Sequence, residues 1–245
     1  LVGQKLANLV SSFTTPVQVM FYPHAARLGA AGDHEGLRKS VFTGTRISLS
    51  VAMPMMMVLV VLAQPALPAW AGPGYSSAAP VIVFLGGATL VNLMVRTLVD
   101  VLRGIGNVKA PALFGIISTG LNLPLTIVLG LTIGFQGVAL ATLIAEVVVG
   151  FGLSMPYACR HTQVSMAELL LVALGAQLLP SLAAVGVGLM LVHVGINGVV
   201  EVIGAGAIML LAYAGVLSLT GLSAAERRIV FERRAPSRLR RMHAS

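Results

Sequence analysis

The chain has 245 residues, of which 57% are hydrophobic and only 10% charged, and 16 Lys and Arg against 8 Asp and Glu give a formal net charge of +8. A soluble domain carries roughly a quarter charged residues, so this composition excludes an ordinary water-soluble globule. The single cysteine, Cys159, excludes an internal disulfide framework and any multi-cysteine metal site.

Seven apolar runs follow one another, at about 4–26, 46–65, 79–101, 110–131, 136–157, 167–192 and 198–221. A run of ~20 apolar residues crosses a ~30 Å hydrocarbon core as a helix. The runs are rich in Leu, Val, Ala and Gly with few aromatics, which suits helices packed through small residues better than an alternating barrel. The sequence therefore predicts an all-α, polytopic membrane protein of about seven transmembrane helices. It opens at Leu1, already inside an apolar run and without the pattern of a signal peptide, and is read as a fragment whose N-terminal part is missing.

The first run carries a polar stripe, Gln4, Asn8, Ser11, Thr15, Gln18 and Tyr22, and that spacing puts all six on one helix face. In lipid such a face must meet protein or a water-filled cavity. Hydrogen bonding between helices is the plain reading; lining a substrate cavity is the functional one, with Gln4, Asn8 and Gln18 as candidate contacts. The third run repeats the pattern with charge: Thr89, Asn92, Arg96, Asp100 and Arg103. Arg96 can snorkel or pair with Asp100 four residues on. It can also face the cavity and hold an anionic substrate group, because a guanidinium matches phosphate oxygens bidentately; Asn92 would lie beside it.

Glu146, in the middle of the fifth run with Thr142 one turn before it, is the deepest acid. It is either bonded to a neighbouring helix or, with Asp100, a candidate for ion coupling. Pro16, Pro54, Pro124 and Pro180 fall inside apolar runs and are expected to kink them or free a backbone carbonyl. Ser165 with Glu168 and Ser223 with Glu226 have the spacing of capping boxes. The histidines are scattered, and there is no HExxH, no Walker A sequence and no paired-carboxylate motif. No enzymatic activity, cofactor or metal is expected.

Basic residues set the orientation. Arg27, Arg38, Lys39 and Arg46 flank the first connection, Arg103 and Lys109 the third, Arg160 the fifth, and seven arginines lie between Arg227 and Arg241. The opposite connections, 66–78, 132–135 and 193–197, hold no Lys or Arg. By the positive-inside rule the C-terminus is cytoplasmic, in a multi-pass protein of the inner (plasma) membrane. The basic tail, 223–245, is expected to meet anionic lipids of the inner leaflet; nucleic acid is not an expected partner.

Several short motifs carry a family resemblance. Val101-Leu-Arg-Gly-Ile-Gly-Asn-Val-Lys-Ala-Pro111, Leu121-Asn-Leu-Pro124 and Gly134-Phe-Gln-Gly-Val-Ala-Leu-Ala-Thr-Leu-Ile-Ala-Glu146 resemble the C-terminal lobe of polysaccharide flippases. These are members of the multidrug/oligosaccharidyl-lipid/polysaccharide exporter superfamily. Phe21-Tyr-Pro-His-Ala-Ala-Arg-Leu28 with Gly32-Asp-His-Glu-Gly-Leu-Arg-Lys39 is similar to its first cytoplasmic loop in this lobe, and Gly72-Pro-Gly-Tyr75 with Ala78-Ala-Pro80 to an outer connection. The similarity spans roughly 16–157.

The resemblance implies residues 1–157 as the C-terminal lobe of a two-lobed transporter, 158–222 as two additional helices, and 223–245 as the tail. The implied partner is a missing N-terminal lobe, and the implied activity is flipping of a polyprenyl-diphosphate-linked oligosaccharide for cell-surface polysaccharide synthesis. A drug or small-solute exporter of the same superfamily, a lipid-linked glycosyl- or acyltransferase, and a non-transporting assembly subunit are the competing readings.

Overall fold

A computed structural model describes residue 23 and residues 26–72, 78–196 and 198–220. The expected first helix lies almost wholly outside these residues, and with it Gln4, Asn8, Gln18 and Pro16; so do the tail and the Ser223 cap. The described residues form helices α1 (His34–Val61), α2 (Ala63–Ala71), α3 (Ala79–Gly104), α4 (Lys109–Ile133), α5 (Phe135–Val149), α6 (Met155–Thr162), α7 (Met166–Val194) and α8 (Val199–Thr220), with a π-helical turn at Gly150–Ser154. Counting α5 through α6 as one, six helices among the described residues are long and apolar enough to cross a membrane. The fold is all-α and polytopic.

Where the helices depart from the apolar runs, backbone chemistry gives the reason. α1 begins at His34, well before the apolar stretch, because Asp33 caps it: the Asp33 Oδ1 accepts from the Gly36 amide at 2.8 Å. Hydropathy marks where a helix enters lipid, whereas a cap marks where its hydrogen bonds begin. At its other end α1 stops at Val61, and the expected 46–65 run divides there into α1 and the short α2. The fifth helix runs on to Thr162 by widening into the π turn at Gly150–Ser154. Pro156 follows directly and has no amide proton with which to close a regular ladder.

α1 is the hub, packing against α3 and α7 and, along part of its length, α8. At the basic end, Leu37 and Val41 meet Leu98, Leu102, Met155 and Leu169, all of them buried. A second fastening lies in the apolar interior. Gln177 of α7 donates to the Ser50 hydroxyl at 2.8 Å, the Tyr213 hydroxyl of α8 donates to Gln177 Oε1, and Ser50 itself donates to the Arg46 carbonyl at 2.9 Å.

The Ser165 cap forms as expected on one side only. Its hydroxyl accepts from the Glu168 amide at 3.5 Å, but the Glu168 carboxylate does not turn back to the cap. It takes the Arg38 guanidinium of α1 instead, at 2.6 and 2.8 Å, since a full charge outbids a backbone amide.

α4 stands apart. It packs on α5 and scarcely touches α3, and Pro111 is its one buried residue. Leu113, Ile116, Leu123 and Leu131 are exposed, which suits a lipid-facing helix. The α4–α5 hairpin turns at Gly134, with φ of +69°, and closes so tightly that a Cβ on Gly137 would lie 2.0 Å from the Leu129 carbonyl oxygen.

Candidate functional site

Because α4 leans on α5 and diverges from α3, a wedge opens between α3 and α4, with α5 at its back. It holds a pocket of about 400 Å³ lined by Asn92, Arg96 and Arg103 of α3, Phe114 and Thr119 of α4, and Glu146 of α5, among others. Asn92, Arg96 and Arg103 share one face of α3 because they follow at four and seven residues. The small Gly150 in the π turn lets α5 close against Val91 and Val95 of α3.

Two polar groupings stand in the pocket. Deeper along α3, the Asn92 amide donates to Glu146 Oε2 at 3.2 Å, linking α3 to α5. Nearer the basic end, Asp100 stands between two arginines. Its Oδ1 accepts from Arg103 Nη1 at 3.2 Å, and its Oδ2 lies 4.0 Å from Arg96 Nε. The acid is mostly covered, at 13% side-chain exposure, whereas Arg96 and Arg103 keep 47% and 44%. Asp100 is absent from the pocket lining that both arginines share, so the carboxylate pairs with the guanidinium groups without lining the pocket itself.

Of the residues singled out in the sequence, Asn92, Arg96 and Glu146 come together in one pocket, and Asp100 pairs with Arg96 without lining it. Gln4, Asn8 and Gln18 lie outside the described residues. Thr142, one turn from Glu146, accepts from the Asn122 amide of α4 at 3.4 Å, and the Thr126 hydroxyl donates to Asn122 Oδ1 at 3.1 Å. This grouping continues the polar seam between α4 and α5. Thr89 turns to its own helix, donating to the Leu85 carbonyl at 2.8 Å.

Two contributors were not given a role from the sequence. Arg103 was placed on the charged face of the third run and beside a connection but not offered as a substrate contact, yet it lines the pocket. Asn122 was passed over inside an apolar run, although Thr119, Asn122 and Thr126, at spacings of three and four, carry the same one-face signal read on α3. Among the described residues no group of His, Cys, Asp and Glu could hold a metal ion.

The MatE family model matches residues 2–128, which take in α1 to α3 and most of α4. The uncharacterized membrane protein EpsK of Bacillus subtilis (strain 168) is 28% identical over 141 residues, 56% of this chain and 26% of EpsK. In fold the chain is similar to the lipid II flippase MurJ in its inward closed conformation. The TM-score is 0.60 at 16% identity, covering 89% of this chain and 47% of MurJ. The chain thus spans about a quarter of the one relative and about half of the other. With more than half of its 245 residues matched, the chain belongs to the MatE family, within the exporter superfamily that its motifs resemble.

Proposed function

We propose that this chain is the C-terminal lobe and two following helices of a lipid-linked oligosaccharide flippase in the inner membrane, with the C-terminus cytoplasmic. It would move a polyprenyl-diphosphate-linked sugar outward by alternating access, together with an N-terminal lobe. The observation that carries this reading is the pocket that Arg96 and Glu146 share between two helices long and apolar enough to cross a membrane. A guanidinium there supplies forked donors for a diphosphate. A carboxyl held by Asn92 at 3.2 Å supplies a group that can exchange a proton or a cation for the driving force. The likeness of fold to a lipid II flippase and the family membership agree with this reading.

The test is translocation of lipid-linked oligosaccharide in cells or proteoliposomes carrying the whole transporter. Arg96→Gln should abolish translocation with membrane insertion intact, and Glu146→Gln should remove its dependence on pH or on a coupling cation. A second reading draws on the same acid: an exporter of cationic solutes would use Glu146 to hold its substrate. In that case Glu146→Gln would abolish transport, and Arg96→Gln would leave it working.

A further inference from the structure

Resting on the flippase reading, we infer that Arg96 and Arg103 form a two-armed clamp for one diphosphate group. Asp100 is its built-in brake, a fixed counter-charge that keeps the clamp weak enough to release what it holds. The two arms leave α3 seven residues apart, about 10.5 Å of helix rise. Both reach the same carboxylate, Arg103 at 3.2 Å and Arg96 at 4.0 Å, so their heads converge over one stretch of the pocket wall. Each meets Asp100 through a single nitrogen. A guanidinium carries five N–H donors in a planar fork, which leaves most of each head for an anion in the pocket. A diphosphate offers oxygens on two phosphorus atoms, enough to meet each fork with a pair of oxygens, which the two oxygens of one carboxylate cannot do.

Asp100 has two effects of opposite sign on that anion. As an acceptor it orients the Arg103 guanidinium, with Arg96 at ion-pair distance, and it offsets the repulsion between the two like charges. As a negative charge beside them it repels whatever they hold. Replacement by Asn separates the two effects, because the amide keeps an oxygen for Arg103 and removes the charge. The second effect suits a transporter, which must bind its substrate on one side and let it go on the other.

The experiment is titration of the full-length polypeptide in lipid nanodiscs with farnesyl diphosphate, with inorganic pyrophosphate and farnesol as companion probes. Arg96→Gln and Arg103→Gln should each weaken farnesyl diphosphate binding by at least about tenfold, the loss of a charge-assisted contact. Arg→Lys at either position should fall in between, since it keeps the charge and loses the fork. Asp100→Asn should tighten binding by about tenfold, and misfolding cannot produce a gain of that kind. Farnesol binding should not change in any variant.

Unchanged affinity in Arg103→Gln would overturn the two-armed clamp. Unchanged or weaker affinity in Asp100→Asn would overturn the brake. Pyrophosphate bound as tightly as the farnesyl ester would overturn the assignment to a lipid-linked group. The predicted pattern of affinities in a protein that moves no lipid-linked sugar would uphold the clamp and reject the flippase reading alone.

Discussion

Gln177 is the place where one substitution should show how the two last helices are held. Its side chain is 1% exposed and bonds α1 through Ser50 and α8 through Tyr213, whose ring is 2% exposed. Gln177→Leu keeps the volume and removes both bonds. Interhelical hydrogen bonds inside membranes contribute ~0.6 kcal/mol each on average. Ser50 keeps its bond to the Arg46 carbonyl, so it is not orphaned. The Tyr213 hydroxyl is left buried without its acceptor, which costs about 1–3 kcal/mol. The variant should therefore lose about 2–4 kcal/mol. The assay is reversible denaturation in mixed micelles, applied to Gln177→Leu, Tyr213→Phe and the double variant. Removing the orphaned hydroxyl as well should restore part of the loss, so the double variant should be more stable than Gln177→Leu alone. Strict additivity of the two single changes would refute the network.

Other perturbations test the remaining joints. Gly137→Val places a Cβ 2.0 Å from the Leu129 carbonyl oxygen and should destabilise the α4–α5 hairpin by about 1–3 kcal/mol or more; an unchanged melting temperature in detergent would show that the hairpin is looser than described. Asp33→Ala removes the cap on Gly36 and should cost ~1 kcal/mol, seen as faster amide exchange in the first turn of α1. The Arg38–Glu168 pair is 47% and 42% exposed, so a double-mutant cycle to Ala should give no more than about 1 kcal/mol. That coupling should shrink at high salt, and one that salt leaves alone would mean the pair is shielded from water.

How much of this was legible in the sequence depends on what each feature is made of. The membrane helices were, because ~20 apolar residues leave no other low-energy arrangement for the backbone in lipid. The shared face of Asn92, Arg96, Asp100 and Arg103 was legible too, being a property of one helix and its period. The early start of α1 at His34 was not, since a cap from Asp33 to Gly36 is silent in hydropathy. The bond from Asn92 to Glu146 was beyond reach, because it joins residues 54 apart and depends on how α3 and α5 pack. Glu168 shows a local rule overridden at a distance: the spacing to Ser165 promised a reciprocal cap, and an arginine 130 residues away took the carboxylate.

The pocket itself follows from a mismatch between the two sides of α5. On one side α4 is drawn in by the tight turn at Gly134 and the missing side chain at Gly137, and Asn122 reaches Thr142 across the seam. On the other side α3 packs along α5, with Gly150 set against Val91 and Val95. Between α3 and α4 no comparable contacts form, so these two helices part although only Ile105–Val108 joins them. Arg96 and Arg103 line that parting, and the carboxylate that makes them tolerable pairs with them outside the lining. Charge at membrane depth is expensive unless paired or wetted, and this arrangement provides both: a fixed partner and an opening. A device meant only to hold α3 against its neighbours would have the opposite layout, with its charges turned inward to a partner helix, as Gln177 is turned to Ser50 and Tyr213.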